Sequence, residues 1–310
     1  MESVRFRNRI WDVAADLRLP EDFDPAKKYP AIICAHPISS CKEQTAGSIY
    51  AERLTGLGYV TLTFDASHQG ESGGEPRYLE DPATRVEDFR CAVDHLVTLP
   101  YVDEDRIGCL GVCGGGGYAV TATMTEHRIK ALVTVVAANY GRLMREGDLS
   151  PDAAVRTLEA IGAQRTAEAR GADPAITTYI PTSDEEREKA GITDVDIVEA
   201  VDYYTTPRGR NPNSPNKLRF SGLAAAVGFD AFHLAERLLT QPLLVVGCDT
   251  PGSFGSHRDA YEIFDRAASE KKELFIVPES THYDLYDQPK CVDQAFEKIE
   301  PFFRSNLRDA

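Results

Sequence analysis

Cys113 occupies the centre of Gly111-Val-Cys-Gly-Gly115, followed by a glycine run over 114–117, and the apolar stretch 106–112 leads directly into it. A Gly-x-nucleophile-x-Gly pattern between a strand and a helix lifts a nucleophile onto a sharp turn, and its flanking residues must be tiny because the two backbones pass close together. A cysteine there predicts acyl chemistry: sulfur attacks the carbonyl carbon, an acyl-cysteine forms, and a second nucleophile releases it. The free amides and dipole of the following helix are expected to lower the thiol pKa. The N–H of Gly114 supplies one oxyanion donor, and the loop after the first parallel strand, at Pro37-Ile38, supplies the second.

Such a nucleophile needs a base and an acid, placed later in the chain at the ends of further strands. Asp249 follows the apolar run 243–247 and His282 follows 274–279. The order Cys113, Asp249, His282 therefore predicts a triad in which His282 takes and returns the thiol proton while Asp249 orients the ring. Asp259 and Glu262 remain alternative carboxylates if the loop folds back. A competing reading makes Cys113 an inert small residue on a packing turn. Gly114-x-Gly116-x-x-Ala119 also fits a dinucleotide fingerprint, but the next strand ends without an acid for a ribose, and no Gly-Lys-Ser/Thr phosphate loop is present. Asp65, His68 and Glu71 lack a diagnostic metal spacing and read as a structural turn, and His36 as a residue that shapes the oxyanion loop. No cofactor and no metal are expected.

These residues require a particular scaffold. Apolar runs at 31–36, 60–65, 106–112, 131–138, 243–247 and 274–279 predict strands, and helical periodicity lies near 45–57, 85–99, 116–126, 256–269 and 289–306. That alternation predicts an α/β fold with a mainly parallel, doubly wound sheet, edged by an antiparallel hairpin over 4–19. Residues 140–239 break the rhythm. They predict an inserted helical lid, helical around 151–170, 183–190 and 195–204, with a polar linker at 206–220, between core segments 1–139 and 240–310. Tyr203, Tyr204, Phe229 and Phe232 are candidates to line its pocket.

The chain has 310 residues and a formal net charge of −15, which argues against nucleic acid and anionic membranes as partners. It shows neither a signal-peptide pattern nor about 18 consecutive apolar residues, so a cytoplasmic protein is expected. The odd set of cysteines, at 34, 41, 91, 109, 113, 248 and 291, reads as reduced and mostly buried. The edge hairpin and the C-terminal helix leave room for a homodimer.

The blocks 36–77, 99–120 ("LPYVDEDRIGCLGVCGGGGYAV") and 279–303 ("ESTHYDLYDQPKCVDQAFEKIEPFF") resemble the dienelactone-hydrolase-like branch of the α/β-hydrolase family, which includes fungal polyketide thiohydrolase-type and acyltransferase-type members. The stretch 228–247 shares the likeness; the rest of the insertion matches loosely. The resemblance implies the α/β-hydrolase fold, a nucleophile at Cys113, an acid after "LLVVG", a base at His282, and a small-molecule acyl substrate. Dienelactone hydrolases use a Cys-His-Asp set and suggest activation by the substrate. A thiolate suits lactones, activated esters and thioesters. Acyl transfer on the same elbow, or a catalytically inert ligand-binding homologue, are the alternatives.

Overall fold

The computed structural model describes residues 1–146 and 152–308. In chain order, β1 (Glu2–Asn8) and β2 (Trp11–Arg18) form the edge hairpin, followed by β3 (Tyr29–Ala35), a π-helical turn (Ala46–Ala51) running into α1 (Glu52–Gly56), and β4 (Val60–Phe64). Next come α2 (Pro82–Thr98), β5 (Val102–Val112), α3 (Gly114–Thr125) and β6 (Ile129–Val135). The insertion contributes α4 (Tyr140–Glu146), α5 (Ala153–Ala169), β7 (Ile176–Thr177), α6 (Asp184–Lys189), α7 (Val195–Thr205), β8 (Leu218–Arg219), α8 (Ala224–Val227) and α9 (Ala235–Leu238). The chain then returns through β9 (Leu243–Cys248), α10 (Ser256–Arg266), β10 (Lys272–Val277), α11 (Asp284–Asp287) and α12 (Pro289–Leu307).

The main sheet runs β1-β2-β4-β3-β5-β6-β9-β10, parallel from β4 onward. Its central strands read as continuous apolar runs because helices cover both faces. Ile107 and Cys109 of β5 pack with α2, α3 and α10, whereas Leu110 and Val112 pack with α1 and α12. The register pairs Ala35 with Gly111, Val112 with Val135 and Val277 with Cys248. The strands that carry the oxyanion loop, Cys113, Asp249 and His282 thus end along one sheet edge, where such folds build their sites. Asp81 caps α2 by accepting from the Thr84 N–H at 2.7 Å, with Pro82 in its first turn.

Between β6 and β9 the insertion packs over that edge. Its residues 147–151, which include the start of the helix expected from 151, lie outside the described residues, as do 309–310. Arg142 grips the buried Asp259 with two bonds of 2.8 Å. The Tyr203 hydroxyl accepts from the Thr45 N–H at 3.2 Å. The stretch 206–220 is a strap, not a free linker. Ser214 Oγ donates to the Ser39 carbonyl at 2.5 Å, Gln44 Nε2 to that of Gly209 at 2.6 Å, and Arg208 pairs with Asp287 at 2.7 and 2.9 Å. Its prolines and asparagines signal turns, and those turns fold back onto the core. Among the described residues no helix is long and apolar enough to cross a membrane.

Two glycines let β3, β5 and α3 converge. A Cβ on Gly111 would lie 2.6 Å from the Gly115 carbonyl oxygen, and one on Gly115 would lie 2.4 Å from that of His36. Backbone atoms on both sides leave no room to yield. Gly115→Ala is expected to cost about 3 kcal/mol or more, read as a lower denaturant midpoint with an unchanged slope.

Candidate active site

Cys113 has φ 53° and ψ −127°, a conformation of high strain for a non-glycine residue. Its surroundings over-determine it. Its N–H donates to the Val135 carbonyl at 3.0 Å, and its own carbonyl accepts from Gly116, Gly117 and Ala138 at 2.9, 3.2 and 3.0 Å. Ile38 lies alongside: a Cβ on Gly114 would stand 3.5 Å from the Ile38 nitrogen. No hydrogen bond occupies that Ile38 N–H among the described residues. The two expected oxyanion donors are therefore neighbours beside Cys113.

The loop holding Ile38 is fixed from below. The His36 Nδ1 lies 2.7 Å from the Pro37 carbonyl, Nε2 accepts from the Ala66 N–H at 3.0 Å, and Arg85 Nη2 donates to the His36 carbonyl at 3.3 Å. Arg85 is itself paired with the buried Glu80 at 3.1 Å. Burial, then the Arg85 charge, push the His36 pKa well below its ordinary value, so it acts as a neutral spacer. Asp65 accepts from the Lys42 and Glu71 N–H groups, each at 2.8 Å, and His68 packs on Trp11, which makes this segment a hydrogen-bonded turn.

His282 is fully buried. Its Nδ1 lies 2.8 Å from Ser256 Oγ and its Nε2 lies 3.3 Å from the Tyr286 hydroxyl. Asp249 is not brought to His282. It is exposed, and its carboxylate accepts from the Glu279 N–H at 3.2 Å. The cause is tertiary: after β9 the chain turns outward at Asp249 and re-enters at Phe254, where Asp196 accepts from the Phe254 N–H at 2.8 Å and Arg142 donates to its carbonyl at 2.7 Å. Asp259 is committed to Arg142 and the Asn139 N–H. Ser256 thus takes the place at Nδ1 where a carboxylate was expected.

Burial also reverses the expected thiol ionisation. It pushes the Cys113 pKa up to about 11, against the pull of Tyr286 and the Gly114 amide, with Asp196 and Asp259 pushing further upward. It lowers His282 to about 3. The pair is therefore thiol and neutral imidazole. Aromatic rings seal it: Tyr203, Tyr283 and Tyr286 form a mutual cluster, and Phe254 and Tyr283 contact His282. Tyr204 joins that cluster. Phe229 and Phe232 do not, since Phe229 stacks on Tyr118 and Phe232 is core.

A mainly parallel sheet, a strand-to-helix elbow at Cys113 and a histidine after the last strand define an α/β hydrolase. The chain belongs to the dienelactone hydrolase family, whose model matches residues 17–178. It is 39% identical over 303 residues to the protein YcjY of Escherichia coli, covering 97% of this chain and 96% of that one. The crystal structure of PA2218 from Pseudomonas aeruginosa superposes with a TM-score of 0.87 at 34% identity, covering 99% and 93% of the two chains. A fungal relative from Aspergillus aculeatus, aneE, named a thiohydrolase, is 31% identical over 154 residues, 49% of this chain and 48% of that one.

Sequence reasoning did not single out Tyr286, Ser256 or Asp196. Tyr286 stands four residues after His282, a spacing that could have drawn attention to it. Asp196 is buried on α7, with Oδ1 unpartnered among the described residues and its pKa raised to about 7 by burial. The two perturbed groups pull stability in opposite directions with pH. His282, depressed from 6.5, favours the fold above pH 6.5 and loses that contribution as pH falls toward 3. Asp196, raised from 3.8, contributes fully below 3.8 and loses that contribution as pH rises through 7. Asp196→Asn should therefore stabilise the protein at pH 8, by roughly 4 kcal/mol at most, and leave it unchanged near pH 3. His282→Gln should flatten the acid side. Chemical denaturation across pH checks both signs.

Proposed function

We propose that the protein hydrolyses an activated acyl bond of a small molecule, with thioesters, lactones and activated esters as the substrate class. The observation that carries this reading is the strained Cys113 elbow with the Gly114 amide and the unoccupied Ile38 amide beside it. The sulfur attacks the carbonyl carbon, the two amides stabilise the oxyanion, and His282 receives the thiol proton. Collapse breaks the bond to the leaving group, which takes the proton. Water, deprotonated by His282, then releases the acid and restores the thiol.

The neutral resting pair fits a site that charges only when occupied. A substrate must displace part of the Tyr203–Tyr204–Phe254 cover, which the insertion and the loop after β9 supply, and the insertion thereby sets specificity. The relative named a thiohydrolase supports placing thioesters first.

The test is a panel of acyl thioesters, lactones and p-nitrophenyl esters, with Cys113→Ala and Cys113→Ser beside the wild type. Cys113→Ala should lower kcat/KM on every turned-over substrate by about 10³-fold or more, with the thermal midpoint retained. A Cys113→Ala protein that still hydrolyses its best substrate at the wild-type rate removes this reading.

A further inference from the structure

Ser256 opens α10, where a serine hydroxyl ordinarily caps the helix. This one does not. The capping position belongs to Gly255, and the hydroxyl lies 2.8 Å from His282 Nδ1 and 3.6 Å from Cys248 Sγ, all three side chains being buried. The carboxylates of this region are engaged elsewhere: Asp249 accepts from the Glu279 N–H, Asp259 from Arg142 and the Asn139 N–H, and Asp196 from the Phe254 N–H. The other neighbours of the imidazole are the rings of Phe254, Tyr283 and Tyr286.

The donors along this buried chain fix the tautomer. The Thr250 carbonyl can only accept, so Cys248, 3.5 Å away, donates its one S–H to it. Cys248 Sγ then accepts from Ser256 Oγ, which spends the serine's hydrogen. The same oxygen accepts from His282 Nδ1–H. The lone pair of the ring is left on Nε2, which the Tyr286 hydroxyl approaches to 3.3 Å.

We propose that Ser256, backed by Cys248, is the positioning residue for His282: its hydroxyl holds the ring proton on Nδ1 and keeps Nε2 as the basic nitrogen. This rests on the reading of His282 as the base. A triad carboxylate fixes the tautomer and also stabilises the imidazolium. The hydroxyl does the first and carries no charge for the second. A carboxylate buried against a neutral ring would have no cation beside it, and an unpaired buried charge is costly. A hydroxyl needs only hydrogen bonds, and this one has two.

The serine is mounted from two sides. His257 Nδ1 lies 2.8 Å from the Cys248 carbonyl, which ties the start of α10 to the end of β9. Arg142 of the insertion donates to the Phe254 carbonyl at 2.7 Å and grips Asp259, three residues past the serine. Gly255 turns the chain between these ties at φ 71°, where a Cβ would stand 2.4 Å from Arg142 Nη2.

Nitrogen-15 NMR of the histidine rings, assigned sequentially in the wild type at neutral pH, reads the tautomer without any activity. His282 should carry its proton on Nδ1, and Ser256→Ala should lose that preference with the melting temperature nearly unchanged. In single-turnover acylation by p-nitrophenyl acetate, Ser256→Ala should lower the limiting rate by about 10-fold and leave the half-saturating concentration alone. Ser256→Thr, which keeps the hydroxyl, should restore both tautomer and rate. A wild-type proton on Nε2 overturns the proposal even if the variants fail to fold. So does a Ser256→Ala protein that keeps the Nδ1 tautomer, keeps the wild-type rate, or changes only the half-saturating concentration. These results leave Cys113 as nucleophile untouched. A Cys113→Ala protein that releases p-nitrophenolate as fast as the wild type removes the proposed function itself, and with it any role for Ser256 in acylation.

Discussion

The Cys113 carbonyl accepts three amide hydrogens, from Gly116, Gly117 and Ala138, while its own amide is tied to Val135. A residue at φ 53° persists only under such constraint, which offsets about 1–3 kcal/mol of backbone strain. The arrangement demands that β5, β6 and α3 meet at one point, and Gly111 and Gly115 make the meeting sterically feasible. From it follow the direction of the sulfur, the start of α3 and the placing of the Gly114 amide beside Ile38. The β3 loop, fixed by Arg85 and His36, brings the Ile38 amide to the same point.

Around this fixed point the site trades solvation for readiness. Burial without a neighbouring carboxylate leaves His282 neutral, and burial without a cation leaves Cys113 protonated. Helix N-termini favour thiolates, yet here the desolvation of a shut aromatic enclosure outweighs that field. The insertion closes the enclosure with polar ties at Ser214, Gln44 and Arg208 and with Asp196 on the loop after β9.

Much of this could be read from the sequence, for definite reasons. The parallel strands were legible because both faces are covered, so each appears as an unbroken apolar run bounded by turns. The elbow was legible because no other residue type fits Gly111 or Gly115, and the position of Ile38 because it must follow the strand beside β5. The environment of His282 was not. Whether Asp249 turns in or out depends on Asp196 and Arg142, both from the insertion and distant in sequence. The ionisation of Cys113 was misjudged for a related reason: helix position is local information, while burial by Tyr203, Tyr283 and Phe254 is tertiary. The strap at 206–220 looked like a linker because its polarity serves backbone contacts that composition does not reveal.

The central claim is that the sulfur of Cys113 becomes covalently acylated during turnover. The most direct measurement is peptide mapping by mass spectrometry of the wild-type protein quenched in acid during reaction with a short-chain acyl thioester. The account predicts one added acyl group on the peptide carrying Cys113, formed and lost at rates compatible with turnover. Turnover with no covalent intermediate, or an acyl group on any other side chain, would contradict it.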